Sequence, residues 1–433
     1  MGRPRLRLLA QMQELPVTDG AWRYSRRPRS DEPSQGWKIH VSATVLSAAE
    51  VLSRVRPILR KHDAFFKIPA SPDLLASLNA GLPDFAQIGK FVTVYPRSTQ
   101  EATTLARELH LATRGLPGPR IPFDVQYRAN SLVHYRYGAF RRSAKSRTGK
   151  LRDLSGKLRP DKRGPGLAIP SWLEDPFRKT HRKSRTPKGP IGRQLLPYKA
   201  KMQRGKGGVY EALDLSVSPP RRVILKEGRR HGETDWLGID GYARLKHEAR
   251  VLRSLAKAGL PVPQIFREFS QNGNRYLVLE RIAGRPLIAP AREQPRQFSW
   301  RRAEKILRQL EPVLSRLHAA GWVWRDCKPS HIFVHRGEVR LIDFEEAGRI
   351  RGQNRLAWRS KNYCLPNNQK SRISVREDDY ALGVIAFQFG TGKFPPASAR
   401  SRAGLYQRTK CPSALREKIE QLLTAKIARR LVK

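Results

Sequence analysis

A short hairpin with an aspartate at each end restricts this chain more than any other feature. Ile332 to Val334 and Val339 to Ile342 are apolar runs rich in β-branched residues, and Arg336-Gly337 lies between them. That pattern is read as two paired strands with a tight turn. A hairpin brings the chain back to the end it left from. Asp326, in Trp324-Arg325-Asp326-Cys327-Lys328, and Asp343, in Leu341-Ile342-Asp343-Phe344-Glu345, therefore emerge side by side. One carboxylate can accept a hydroxyl proton while the other holds a hard cation such as Mg²⁺ against phosphate oxygens. Lys328 is placed to reach a phosphoryl group in transfer. Two aspartates at hairpin ends occur in many folds, so the reading depends on what precedes them.

Three earlier features supply it. Gly205-Lys206-Gly207-Gly208-Val209-Tyr210 lies between strand signals. Glycines there let backbone N–H groups come close to phosphates, although a glycine-rich hairpin needs no ligand to exist. The run lacks the Gly-Lys-Ser/Thr ending of a Walker loop. Next, Lys226 closes the apolar strand Val223-Ile224-Leu225. In the helix that follows, Leu245, Ala249, Leu252 and Leu255 form one stripe, and Glu248 falls on it. A carboxylate facing a core needs a cationic partner. Lys226 is the natural one, and such a pair holds nucleotide phosphates. A strand-rich lobe thus precedes a helical lobe. Gly205, Gly207, Gly208, Val209, Lys226 and Glu248 are therefore the candidate nucleotide-binding set, and ATP, or GTP in its place, and Mg²⁺ are the expected cofactors.

The 433 residues leave room for a second domain. Residues 1–35 mix Arg, Pro, Ser and Gly without periodicity and are expected to be a loose basic arm. Residues 36–140 alternate strand and helix signals as a compact α/β (α+β) unit. Helix starts are marked by Ser47 and Ser98, each opening a capping box, and by Ser71-Pro72. The Arg-, Lys-, Gly- and Pro-rich stretch 141–192 is expected to be a linker. Residues 193–433 form the bilobal part, with lobes at about 193–285 and about 286–433. Lys plus Arg total 85 against 37 acids, a net charge of +48. That field attracts polyanions, so nucleic-acid binding is expected to be non-specific if it occurs. Arg141-Arg142, Lys145 and 178–185 carry the densest charge, either as a solvated connector or as a docking surface for acidic groups. Three cysteines without CxxC spacing argue against a disulfide framework or thiolate zinc site. No apolar run suits a membrane span or signal segment, and a cytoplasmic location is expected.

In Trp37-Lys38-Ile39-His40-Val41, strand alternation puts Lys38 and His40 on one face. A base and an acid so placed can flank a substrate's α-carbon and its β-leaving group. Lys67, Lys90 and Arg136 bring further cations on other strand signals, although strand lysines are ordinarily solvent-facing.

Residues 205 to about 395 resemble the eukaryotic-type protein kinase family. The correspondence runs through Gly205-Lys-Gly-Gly-Val, Lys226, Glu248, Trp324-Arg-Asp, Asp343-Phe-Glu, and Asp378 in Asp-Asp-Tyr-Ala-Leu-Gly. Two departures stand out. His331 takes the place of a metal-binding Asn, and an imidazole is a poorer partner for Mg²⁺. Glu345 replaces a Gly that serves as a switch. Together with Gly36-Trp-Lys-Ile-His-Val-Ser-Ala, Phe66-Lys-Ile-Pro, Gly89-Lys-Phe-Val-Thr-Val-Tyr-Pro, Gly118-Pro-Arg-Ile-Pro-Phe-Asp and Tyr135-Arg-Tyr-Gly, the whole resembles class III and IV lanthipeptide synthetases.

That resemblance implies a kinase that phosphorylates Ser or Thr of a precursor peptide, and a lyase that eliminates the phosphate to leave dehydroalanine or dehydrobutyrine. Asp326 and Lys328 would serve the kinase, with Asp343 and His331 at the metal. Lys38 would be the α-proton base, His40 the leaving-group acid, and Lys67, Lys90 and Arg136 the phosphate ligands. For Lys38 to be neutral, its pKa must fall from about 10.4 to roughly 7.5, which takes about 4 kcal/mol. Repulsion by the neighbouring cations is the expected source. The sequence shows no Cys-His-Gly-like pair of a cyclase, so ring closure is expected to be spontaneous or the work of a separate cyclase as partner. Two other readings are a Ser/Thr kinase whose N-terminal domain only binds substrate, and a non-catalytic polyanion-binding scaffold.

Overall fold

The computed structural model describes residues 2–140, 149–178, 191–287, 298–353, 360, 362–366 and 372–424. The basic runs at 141–148 and 179–190, singled out for their charge, lie outside the described residues. The chain divides into two compact units. One comprises Met1–Arg221, Leu225–Ala243 and Phe269–Tyr276, and the other Arg222–Ile224, Arg244–Glu268 and Leu277–Lys433.

Alternation along β3 organises the first unit. A seven-stranded sheet has the order β1-β2-β4-β5-β3-β7-β6, from β1 (Val17–Asp19), β2 (Trp22–Tyr24), β3 (Gln35–Val41), β4 (Phe65–Pro69), β5 (Val92–Tyr95), β6 (Val125–Gln126) and β7 (Val133–Ala139). Neighbouring strands are antiparallel. Trp37, Ile39 and Val41 join a core with Leu52, Val55, Leu59, Leu105 and Leu109 of α2 (Ala48–Lys61) and α4 (Thr99–Ala112). Lys38 and His40, offset by one residue, take the opposite face. α1 (Gly2–Gln13) and α3 (Pro72–Ala80) complete the helices of this sheet. Ser71 and Ser98 cap their helices through Leu74 N–H and Glu101 N–H. Ser47 does not cap α2. Its hydroxyl is buried and donates to Pro117 O (2.6 Å), a long-range bond that displaces the local one.

Two expectations are corrected here. Residues 1–35 are not a loose arm: Leu8, Met12 and Leu15 are buried in the sheet's core, and β2 pairs with β4 from Trp22↔Pro69 to Tyr24↔Lys67. Apolar spacing in α1 is diluted by arginines, which hid the stripe. Nor is 141–192 only a linker. β8 (Lys150–Arg152) and β9 (Leu158–Pro160) form a hairpin, and Phe177 is buried against Trp37 and Tyr135, with ring centroids 5.5 and 4.0 Å away. The first unit also contains the antiparallel pair β10 (Leu195–Arg204) and β11 (Gly207–Asp214); next in the chain is β12 (Arg221–Gly228), of which Arg222–Ile224 are counted with the second unit.

The second unit is built around buried helices. After α5 (Gly241–Lys257), β13 (Ile265–Gln271) and β14 (Asn274–Glu280), the chain adds β15 (Arg285–Pro286) and α6 (Trp300–Ala319). Leu307, Leu310, Leu314 and Leu317 of α6 pack at helical spacing against α7 (Arg376–Thr391), which is buried from Ala381 to Gly390. β16 (Trp322–Val323) pairs with β19 (Gly348–Arg349). β17 (Ile332–His335) and β18 (Glu338–Leu341) form the expected hairpin, with Ile332 opposite Leu341 and the turn at Arg336-Gly337 in positive φ. α8 (Ala399–Arg408) and α9 (Ser413–Leu423) close this unit. Among the described residues, no helix is long and apolar enough to cross a membrane.

Candidate active sites

The hairpin does bring the two aspartates together. His331 lies between them, with Nδ1 3.3 Å from Asp326 and Nε2 3.4 Å from Asp343. One donor atom from each of Asp326, His331 and Asp343 fits within 4.8 Å of the other two, close enough to share a cation. The Asp343 carboxylate is a hard oxygen donor of the kind Mg²⁺ favours, and the imidazole is the weaker ligand. Lys328 Nζ lies 2.9 Å from Asp326, and Ser360 Oγ donates to the same carboxylate while accepting from Lys328, both at 3.0 Å. Ser360 was not singled out from the sequence, where nothing around it marks a site.

Backbone strain at this site is held by buried carboxylates. Arg325 and Asp343 adopt φ of 70° and 65°, unusual for non-glycine residues. Asp378, fully buried on α7, accepts the N–H groups of Trp324 (2.8 Å) and Arg325 (2.7 Å) and bonds His318 (3.0 Å). Arg325 Nε reaches Glu377 at 3.1 Å. Glu248, 1% exposed on α5, accepts the N–H of Phe344 at 3.3 Å. Arg244 pairs with Glu346 (3.3 Å), and His247 donates to Ala347 O (2.7 Å). α5 is therefore fastened to the segment that carries Asp343. Asp378→Ala would leave buried N–H groups without an acceptor and should destabilise this unit by about 2–5 kcal/mol. A urea midpoint unchanged from the parent would show that the loop is held otherwise.

Lys226 lies half-buried on β12, in the first unit with Gly205, Gly207, Gly208 and Val209. Protein atoms account for the glycines there. A Cβ at Gly205 would stand 1.7 Å from Asn79 O, one at Gly207 (φ 153°) 1.7 Å from Glu227 O, and one at Gly208 2.3 Å from the Tyr210 hydroxyl. Close packing alone requires these glycines.

The other predicted cations meet in a cavity of about 1070 Å³ lined by Lys38, His40, Lys67, Lys90 and Arg136. Register explains the meeting: Lys38 faces Arg136 across β3 and β7, while Thr93 faces both His40 and Lys67. Three other residues were missed from the sequence. Asp124, whose side chain is 1% exposed, takes His40 Nδ1 at 2.6 Å and Lys90 Nζ at 3.2 Å. Asp161, from the stretch taken as linker, binds Arg136 at 2.5 Å. Trp22, from the stretch taken as an arm, lies 3.9 Å from Lys67 Nζ. The phrase Gly118 to Asp124 had marked the right loop, but no local pattern gave its Asp a partner.

Charge in this cavity is set by burial. Lys38, 8% exposed, is pushed down to about 7, first by burial and then by repulsion from Arg136, with Asp161 opposing. The sequence had named repulsion and overlooked burial, which is the larger cause. His40 is pushed down to about 3 by burial and by Lys90, against the pull of Asp124. Burial tends to raise Asp124, but Lys90 and His40 hold it well below the usual carboxylate range. Ionised Asp124 can only accept, so His40 Nδ1–H donates to it and Nε2 is left for the cavity.

Paired aspartates, with Lys328 beside one of them and α5 fastened to the segment of the other, define a phosphotransferase site. The chain belongs to the protein kinase domain family, which matches residues 205–428, and its residues 11–188 match the family described as RamC, N-terminal domain. It is similar to a probable SapB synthase of Streptomyces coelicolor, 33% identical over 386 residues, or 84% of this chain and 40% of the relative. It is also similar to the serine/threonine-protein kinase PknA of Mycobacterium tuberculosis, 31% identical over 200 residues, covering 44% of this chain and 45% of that one. Serine/threonine-protein kinase C of Synechocystis is 29% identical over 215 residues, 46% of this chain and 40% of its own. The chain thus spans less than half the length of these curated relatives.

Proposed function

We propose that this chain dehydrates Ser and Thr residues of a precursor peptide in two steps: phosphorylation with ATP and Mg²⁺ in the kinase domain, then elimination of the phosphate in the N-terminal domain. The observation that carries the reading is a buried lysine facing Arg136, beside a histidine–aspartate pair in a cationic cavity, where burial and that neighbour disfavour its charged form. A domain that merely bound substrate would have no need of a neutral lysine.

In the first step, Asp326 accepts the proton of the attacking hydroxyl, and Lys328 beside it neutralises the transferring group. Gly205, Gly207, Gly208, Val209, Lys226 and Glu248 are the residues assigned to the nucleotide. Asp343 and His331 hold the metal, which when bound offsets charge on the β- and γ-phosphates.

In the second step, Lys67, Lys90 and Arg136 take the phosphate. Neutral Lys38 removes the α-proton, the C–H electrons become the new C=C bond, and the Cβ–O bond breaks with its pair leaving on phosphate. His40, oriented by Asp124, charges beside the bound dianion and delivers its proton to the departing oxygen, while burial and repulsion from Arg136 and Lys67 keep Lys38 neutral. The dehydroalanine or dehydrobutyrine formed is an electrophile for thiols, which makes a cyclase a fitting partner. Dependence on ATP fits the cytoplasm.

Elimination from a chemically phosphorylated peptide tests the base. Its kcat/KM should rise with pH through about 7, where free Lys38 loses its proton. Arg136→Gln removes a repelling charge and leaves Asp161 attracting the ammonium, so the limb should move to higher pH. A limb that stays in place assigns it to another group.

A further inference from the structure

One wall of the elimination cavity also seats the Gly-rich turn. α3 ends at Ala80, with Gly81 in the left-handed cap conformation at φ 72°. Gly205 N–H donates to Ala80 O at 3.0 Å, and the Arg204 guanidinium reaches Gly81 O at 3.3 Å. The strand leading to this turn is exposed from Tyr198 to Arg204, so little else on its own faces steadies it. A second contact lies alongside. The Arg229 guanidinium stands over the Phe85 ring, 5.3 Å from its centroid, and also holds Arg204 O (3.2 Å) and Glu227 (3.1 Å).

The same wall reaches the elimination residues. Asn79, 2% exposed, donates to Ala43 O at 2.9 Å and accepts from Gly89 N–H at 3.1 Å, and Gly89 precedes Lys90.

We propose that Phe85 and Arg229 are positioning residues for nucleotide binding: the elimination domain, through them and Ala80 O, fixes the Gly205–Gly208 turn in its phosphate-holding place. This rests on the reading of that turn as nucleotide-binding. β10 is an edge strand, next to β11, and a turn ordered in advance spares the nucleotide that ordering when it binds. The half-buried cation–π contact, with the Arg229 hydrogen bonds beside it, holds such a seat.

The test uses the full chain carrying Phe85→Ala, Arg229→Ala, both together, or Phe85→Tyr. Phosphorylation is followed as ADP release against ATP concentration, elimination is followed from a chemically phosphorylated peptide, and Mg·ATP binding is titrated directly. The double variant should raise KM for ATP about tenfold with kcat within about twofold, and elimination should stay within about twofold. Phe85→Tyr, which keeps the ring, should behave as the parent. An unchanged KM in the double variant overturns the proposal. So does an equal loss of elimination, which would mark a general packing defect. If the parent itself binds no Mg·ATP, the nucleotide reading of the turn fails and the proposal fails with it. That case is distinct because parent and variants are then alike.

Discussion

Lys38→Ala should stop the reaction halfway, so that peptide incubated with ATP and Mg²⁺ accumulates phosphorylated Ser and Thr instead of dehydrated residues. Loss of a positioned base costs about 10²–10⁴ in rate. The α-proton of a peptide residue is weakly acidic, which places the effect toward the upper end. The substitution also removes a buried amine whose charge the cavity already disfavours, so folding should not suffer. Mass spectrometry separates the outcomes cleanly. Dehydrated product at the parental rate would remove Lys38 from the chemistry. If the parent itself stops at phosphopeptide, the N-terminal domain is a binding module and the chain a Ser/Thr kinase.

The second large effect belongs to Asp326→Asn. An amide of the same shape cannot take the hydroxyl proton, and it gives up the ion pair with Lys328 at 2.9 Å. Phosphorylation should fall by about 10²–10⁴, leaving peptide of unchanged mass. Elimination from a peptide phosphorylated beforehand should proceed as in the parent, because no residue of that cavity is touched. If both steps fail together, the two sites are not separate.

The kinase half was the more legible from sequence, since its chemistry lies on a hairpin whose apolar runs, turn and flanking aspartates are local. Glu248 was equally plain from its place on an apolar stripe. What it holds was not: the structure shows it accepting the N–H of Phe344, a bond that depends on how α5 packs. In the N-terminal half, strand alternation sufficed to pair Lys38 with His40. Asp124 was beyond reach because it sits in a proline-rich loop, 84 residues from its partner His40. Asp161 was hidden by its surroundings, where many basic residues gave the composition of a connector. The glycines at 205–208 were read for the ligand they admit, whereas the structure shows neighbouring protein atoms that exclude a side chain.

Trp22 has a practical corollary. The hairpin of β1 and β2 lies along the free side of β4, and its indole covers the ammonium of Lys67 at 3.9 Å. A shortened version starting at Gly36 would look prudent on composition alone. It would bare a sheet edge prone to self-association and strip the cover from one phosphate ligand. Fragments made for solution work should therefore retain everything from α1 onward.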